Sequence, residues 1–192
     1  SNVTNMTFMF YNCNKFNQPL DNWSVNKVHN LDTKCQRNVS NVTDISAMFM
    51  GASAFNQPIA LWDTSNVTDI SYVFSGASSF NQDLNSWDVS NAINAIYMFA
   101  AATAFNLPLN NWDTSSINDM EKMFFLAEAF DQDLSSWDVS NVYNMEEMLS
   151  LSGISESNYD NILIGWSGQN VLNNVSLGVE NLIYCNLSLI HI

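Results

Sequence analysis

Asp63, Asp88, Asp113 and Asp138 recur every 25 residues, each directly after a tryptophan, with Ser24 at the matching place near the start. Carboxylates in a regular row can hold cations, act as an acid–base pair, or cap local backbone. Strands pack about 4.8 Å apart, so a stacked row of this kind repels itself unless it is compensated. Ca²⁺ prefers about six to eight oxygen ligands, and single carboxylates supply few of them. Glycosidase chemistry needs two carboxylates at a set separation. Such a pair would have to break the repeat, and the exceptions, Glu128 and Glu146-Glu147, fall on segments expected to be helical. Local capping of the following Ser or Thr region by an Asx-turn is therefore expected, with Ca²⁺ between the carboxylates as the alternative. The exposed Asp row is also the candidate ligand-binding strip.

A second candidate constellation is His29, Asp32 and Cys35, in a segment that also carries Lys27, Lys34 and Arg37. A closed Zn²⁺ site needs four ligands, and a Cys–His nucleophile needs an orienting partner and a pocket. Neither is supported, so a solvated loop with one exposed thiol is expected. No catalytic residue, metal site or cofactor is assigned. Cys13 stands where later copies carry Ala52, Ala77, Ala102 and Ala127. It is expected to be a buried thiol in a small site, with a Cys13–Cys35 disulfide as the other possibility.

Two amide columns complete the polar inventory. Asn17, Asn56, Asn81 and Asn106, continued by Asp131, form one; Asn2, Asn41, Asn66, Asn91 and Asn141, interrupted by Ser116, form the other. A buried amide can satisfy corner backbone groups in series, so at least one column is expected to be a structural ladder. A polar ligand strip is the alternative.

These columns require an element that returns every 25 residues. The unit reads S-N-V-T-D-I-x-x-M-F-x-G-A-x-x-F-N-Q-x-L-x-x-W-D-V, with copies at 1–25, 40–64, 65–89, 90–114 and 115–139 and a partial copy at 140–149. Residues 26–39 are an insertion, and 150–192 are expected to cap the array. Periods of about 20–50 residues mark stacked supersecondary units. The L-x-x-W-D-V segment alternates in period two and is expected to be a short parallel strand, with Trp and Val inward and Asp outward. Asp or Asn at positions 44, 69, 94, 119 and 144 precedes an apolar i, i+3, i+4 set, which predicts an N-capped short helix ending near Gly51 and Gly76. The predicted fold is an α/β solenoid, a leucine-rich-repeat-like stack with one short parallel strand and one short helix per coil. In the tail, Ser155 or Ser157 is expected to cap a helix over Tyr159–Trp166, and Val171, Val175, Leu177 and Val179 suggest short strands.

Composition excludes several partners. The 192 residues hold 5 Lys+Arg against 19 Asp+Glu, a net charge of −14, which argues against nucleic acid and anionic membrane surfaces. Hydrophobic residues at 47% separate the chain from acidic disordered tails. No apolar run is long enough to insert into a membrane. The chain opens in mid-motif without Met, as expected of a fragment. Eight Asn-x-Ser/Thr sequons arise mostly from the repeat, and they carry weight only in a eukaryotic secretory host.

The stretches S-N-V-T-D-I-S-Y-V-F at 65–74, F-N-Q-D-L at 80–84 and W-D-V-S-N at 87–91 resemble the repeat of BspA-type leucine-rich-repeat surface proteins, the DUF285 group. The likeness covers residues 1 to about 149. The tail, from Ser157 through Trp166 and at Tyr184-Cys185-Asn186, is similar to the segment that follows such arrays. The resemblance implies a non-enzymatic, extracellular or surface-anchored scaffold of adhesive type, with a protein, matrix or glycan partner. The insertion and the early stop after Asn186 depart from the pattern. A carbohydrate-binding module with a Trp stacking ladder is the alternative. Ice binding and a Ca²⁺-dependent adhesin are further ones, although the Thr positions 4, 43 and 68 give way to Ile93, Asn118 and Tyr143.

Overall fold

The computed structural model describes residues 3–20, 42–173 and 175–180. The insertion 26–39, Trp23, Ser24, Asn2, Asn41, Cys35 and the tail beyond 180 lie outside the described residues.

Consecutive copies stack in register. Parallel bridges join Asn5 to Asp44, Asp44 to Asp69, Asp69 to Asn94, Asn94 to Asp119 and Asp119 to Asn144. From each bridge, alternate N–H groups reach the next copy. Ile70, Tyr72, Phe74 and Gly76 donate to the carbonyls of Asn94, Ile96, Met98 and Ala100 at 3.0, 2.9, 2.9 and 2.7 Å.

The same segment was expected to be a helix, and it takes a different form. Met48, Met50 and Ala52 donate to the carbonyls three residues back, Ile45, Ala47 and Phe49. This is a run of turns, and the other N–H groups leave the coil instead of closing helical bonds. Ala47 and Gly51 have φ of 53° and 71°, and the matching residues Tyr72, Gly76, Tyr97, Ala101, Lys122, Leu126, Glu147 and Leu151 are also left-handed. A non-glycine residue costs about 1–2 kcal/mol there. The bonds to neighbouring coils offset that cost. The turns bury Ile45, Met48, Phe49 and Ala52 together, which is the i, i+3, i+4, i+7 pattern of a helix face. Apolar spacing alone does not separate the two conformations.

The L-x-x-W-D-V segment also differs from the expected strand. Trp62, Trp87, Trp112 and Trp137 close turns on Ile59, Leu84, Leu109 and Leu134, and the bridges lie at the 44, 69, 94 column instead. The tryptophans nevertheless face inward, and all four are buried. Each indole N–H donates to a carbonyl of the preceding copy: Trp87 to Ile59 at 3.1 Å, Trp112 to Leu84 at 2.9 Å and Trp137 to Leu109 at 3.0 Å. That bond lets a residue with a polar tip occupy a dry column.

Aromatic rows run through the stack. Phe74 to Phe99 and Phe99 to Phe124 have ring centroids 5.6 and 5.4 Å apart, and Phe80 to Phe105 and Phe105 to Phe130 lie at 6.0 and 6.1 Å. Within a copy the two rows meet at 4.0 Å between Phe74 and Phe80. The small Ala52, Ala77, Ala102 and Ala127 column is fully buried.

Cys13 corrects the expectation of a buried thiol: it is exposed.

The one helix among the described residues is α1, Glu156–Ser167. Ser155 is its N-cap and accepts from the Asn158 N–H, and Tyr159, Ile162, Leu163 and Trp166 form its buried face. Trp166 continues the tryptophan column, donating to the Leu134 carbonyl at 3.1 Å. Gln169 supplies a final cap by accepting from the Val139 N–H and donating to the Trp137 carbonyl, both at 2.8 Å. Instead of strands, residues 175–180 contribute one parallel bridge, Met145 to Leu177.

Candidate interaction surface

The Asp row faces outward, as its alternation with Trp implies, and each member is engaged close by. Ser65, Ser90 and Ser115 donate both N–H and hydroxyl to Asp63, Asp88 and Asp113, the hydroxyls at 2.7, 2.6 and 2.6 Å. Asp138 accepts the Ser140 N–H at 2.9 Å. These are Asx-turns, which satisfy the corner after each Trp. The Ser115 hydroxyl, then its N–H, hold the Asp113 carboxyl below the usual range. Among the described residues no group of three or more His, Cys, Asp or Glu could hold a metal ion.

The Asn17 column forms a ladder. Asn17 Oδ1 accepts the Asn56 N–H at 2.9 Å and Gln57 Nε2 at 2.8 Å. Asn56 does the same for Asn81 and Gln82, and Asn81 accepts from Asn106. Asn106 accepts the Asp131 N–H at 2.9 Å and Gln132 Nε2 at 2.6 Å. These amides are half-buried or exposed, not enclosed as expected. The ladder ends at Asp131, which receives the Ser155 N–H and hydroxyl and Asn158 Nδ2, all within 2.8 Å. It thus passes directly into the α1 cap. The second amide column reaches back one copy: Asn91 and Asn141 donate to the Ser65 and Ser115 carbonyls, both at 2.8 Å.

Burial pushes the Asp131 carboxyl up, but the bonds from Ser155 and Asn158 together bring it below the usual range. Its contribution is therefore complete above the ordinary carboxylate pKa of about 3.9 and is lost as pH falls through the lower folded value. Acid should weaken α1 docking in that window, and Asp131→Asn should remove this part of the pH dependence. Amide signals of α1 followed through a titration below about pH 4 would check it.

A surface that the sequence reading did not single out lies on the left-handed column. Tyr72 and Tyr97 stack at 5.0 Å, and Lys122 Nζ sits 5.5 Å from the Tyr97 ring centre. Lys122 also pairs with Glu147 at 2.8 Å and Glu121 at 3.7 Å. The Glu147 bond, then Tyr97, hold the lysine charged well beyond its usual range. Burial, then the nearby Tyr97 and Glu121, push the Tyr72 phenol up. Beside it runs Thr68, Ile93, Asn118 and Tyr143, linked by successive N–H to carbonyl bonds of 2.8, 3.0 and 2.9 Å. Asp119, through its charge and then a hydrogen bond, raises the Tyr143 phenol. The available signal was negative: these positions vary from copy to copy while the columns around them stay fixed.

On the opposite corner, Pro108, Asn110, Gln132, Asp133, Ser135 and Ser136 line an open groove of about 400 Å³. Asp133 already accepts the Ser135 N–H at 2.8 Å.

The family described as Mycoplasma protein of unknown function, DUF285, matches residues 1–38, 33–124 and 102–177. The chain belongs to the DUF285 family. The overlapping matches reach past the array through α1, so the family pattern of this DUF285 protein includes the helix that receives the ladder. No curated protein and no solved structure matches it. Among the described residues no helix is long and apolar enough to cross a membrane.

Proposed function

We propose that this DUF285 protein is a non-enzymatic scaffold of an extracellular or cell surface, a leucine-rich-repeat-like solenoid closed by residues 150–192, that presents a repetitive polar face to a protein or matrix partner. The observation that carries the reading is the contrast between fixed and variable columns. Trp, Phe, Ala and the ladder amides serve the stack, whereas the equivalent left-handed places carry Phe8, Ala47, Tyr72, Tyr97, Lys122 and Glu147, a column of mixed residue types. Side chains held at such backbone positions concentrate where function needs them. The likeness to BspA-type surface repeats supports the location.

A protein partner fits better than a sugar. Sugar platforms need free aromatic faces, but the five tryptophans among the described residues are buried, and Tyr72 and Tyr97 stack on one another. The test is binding of the intact chain to a panel of extracellular-matrix proteins and to a glycan array, beside Tyr97→Ala/Lys122→Ala and a version lacking residues 26–39. Protein binding lost in the double variant is the expected result. Loss only in the deletion would move function to the insertion. Glycan binding alone would favour the carbohydrate module.

A further inference from the structure

One flank of the stack changes its chemistry halfway along. In the second and third copies its hydroxyls serve the stack. Thr68 Oγ1 donates to the Thr43 carbonyl at 3.1 Å, and the Ser46 and Ser71 hydroxyls donate to Asp44 and Asp69 at 2.7 and 2.6 Å. From the fourth copy onward the same positions carry Ile93, Asn118 and Tyr143 in place of threonine, and Ile96, Glu121 and Glu146 in place of serine. The N–H half of each turn survives: Ile96, Glu121 and Glu146 donate to Asn94, Asp119 and Asn144 at 3.1, 3.0 and 3.1 Å. The hydroxyl half is given up, although the same backbone accepts serine in the earlier copies. Departures of this kind from an otherwise consistent pattern concentrate at functional sites.

The residues that replace the hydroxyls face outward. Ile93 is 47% and Tyr143 57% exposed, in one row directly before the bridge residues Asn94 and Asn144. Tyr143 donates its hydroxyl to Asp119, which holds the ring at the surface. Two residues after the bridges stand Glu121, half-buried, and Glu146, exposed. Lys122 is the only lysine or arginine after Arg37, and it is already held by Glu147 at 2.8 Å and Glu121 at 3.7 Å. Seated between two carboxylates and 5.5 Å from the Tyr97 ring centre, it displays the kind of group this flank accepts. Among the described residues no ion pair reaches Glu146.

We propose that this flank, from Ile93 to Glu147, docks an extended basic segment of the partner protein. Its lysines or arginines face Glu121 and Glu146, and its apolar side chains cover Ile93 and Tyr143. Charge complementarity selects a cationic occupant and rejects a second copy of this chain, whose net charge is −14. The exposed isoleucine and tyrosine select a polypeptide over a bare polycation, since a buried aromatic anchor is what an interface core needs. An extended chain repeats its side chains on either side about every 6.5 Å. Successive coils lie a similar step apart, 5.6 and 5.4 Å along the Phe74, Phe99 and Phe124 row. Laid along the stack, such a segment turns alternate residues to the glutamates and to the apolar ridge. The proposal rests on the scaffold reading and names its partner's chemistry.

The probe is an end-capped (Lys-Val)4 peptide titrated into the isotope-labelled intact chain, beside (Lys-Ser)4, (Glu-Val)4 and a chitosan hexamer. Saturable binding of one (Lys-Val)4 per chain is expected, with amide shifts confined to residues 93–97, 118–122 and 143–147. Affinity should fall as salt screens the charges. (Lys-Ser)4 should bind about tenfold more weakly for want of apolar contact, and (Glu-Val)4 not at all. Glu121→Ser/Glu146→Ser restores the hydroxyls of the earlier copies, so it should keep or raise the thermal midpoint while weakening binding about tenfold or more. Absence of binding, shifts at another acidic face such as the Asp63–Asp138 row, chitosan bound as tightly, or a double serine variant that binds as before would each overturn the proposal. A matrix protein lost in Tyr97→Ala/Lys122→Ala yet not displaced by (Lys-Val)4 would overturn it and leave the scaffold reading standing. (Lys-Val)4 bound on this flank while no matrix protein binds would support it and remove the matrix partner instead.

Discussion

Trp112→Ala should destabilise the chain by about 3–5 kcal/mol, the usual cost of emptying a buried aromatic site. Trp112 is 4% exposed, stacks on Trp137 at 6.0 Å and leans on Phe99 at 6.3 Å. Its indole N–H also satisfies the Leu84 carbonyl of the preceding copy. Truncation opens a cavity between coils and leaves that carbonyl without its partner, so both neighbours lose contacts. Domains of ordinary stability hold about 5–15 kcal/mol in total, so a third or more could go with one side chain. Trp112→Phe keeps most of the volume and loses the bond, which should cost about 1–3 kcal/mol. Leu61→Ala, at an 80% exposed site, should change stability by less than about 0.5 kcal/mol. Urea unfolding followed by circular dichroism ranks the three. Equal midpoints for Trp112→Ala and Leu61→Ala would show that the indole column does not hold the stack.

Gly165→Val should lift α1 off the array. A Cβ at this position would lie 2.4 Å from the Ser135 carbonyl oxygen and 2.7 Å from the Ser135 Cβ. Backbone cannot yield as a flexible side chain does, so the helix must shift. Overpacking of this kind costs about 1–3 kcal/mol. Trp166 would lose its bond to Leu134 and move into water, shedding up to about 1.5–3 kcal/mol of burial. The effect should be local, because the copies are joined to one another by their own bridges. A red shift in fluorescence that is absent from Gly165→Val/Trp166→Phe, with faster amide exchange across 156–167, is the expected signature. An unshifted spectrum and unchanged exchange would show that the close approach does not govern docking.

The repeat, the buried columns and the helix were legible because each rests on spacing. Trp62 to Trp137 face inward since a polar Asp follows each of them, and Ser155 caps α1 in the way an N-terminal serine before an apolar stripe implies. The turn run was not legible. Its burial pattern at Ile45, Met48, Phe49 and Ala52 equals that of a helix, and the deciding factor, where the Ala47 and Phe49 N–H groups go, lies 24 residues away. Local propensity is overridden by the neighbouring coil. Only Gly51 and Gly76 hinted at left-handed backbone, while Tyr97, Lys122 and Glu147 adopt it without any sequence signature. The Tyr72–Tyr97–Lys122 surface was hidden for the same reason. Cys13 misled because its column predicts a covered site, as Ala52, Ala77, Ala102 and Ala127 have, whereas Cys13 itself is exposed.

The most direct test of in-register stacking is detection of scalar couplings across hydrogen bonds in deuterated protein. Couplings should link the amides of Ile70, Tyr72, Phe74 and Gly76 to the carbonyl carbons of Asn94, Ile96, Met98 and Ala100. Couplings from those amides to carbonyls four residues back would mean helices, and would contradict the stacked turns on which every other statement depends.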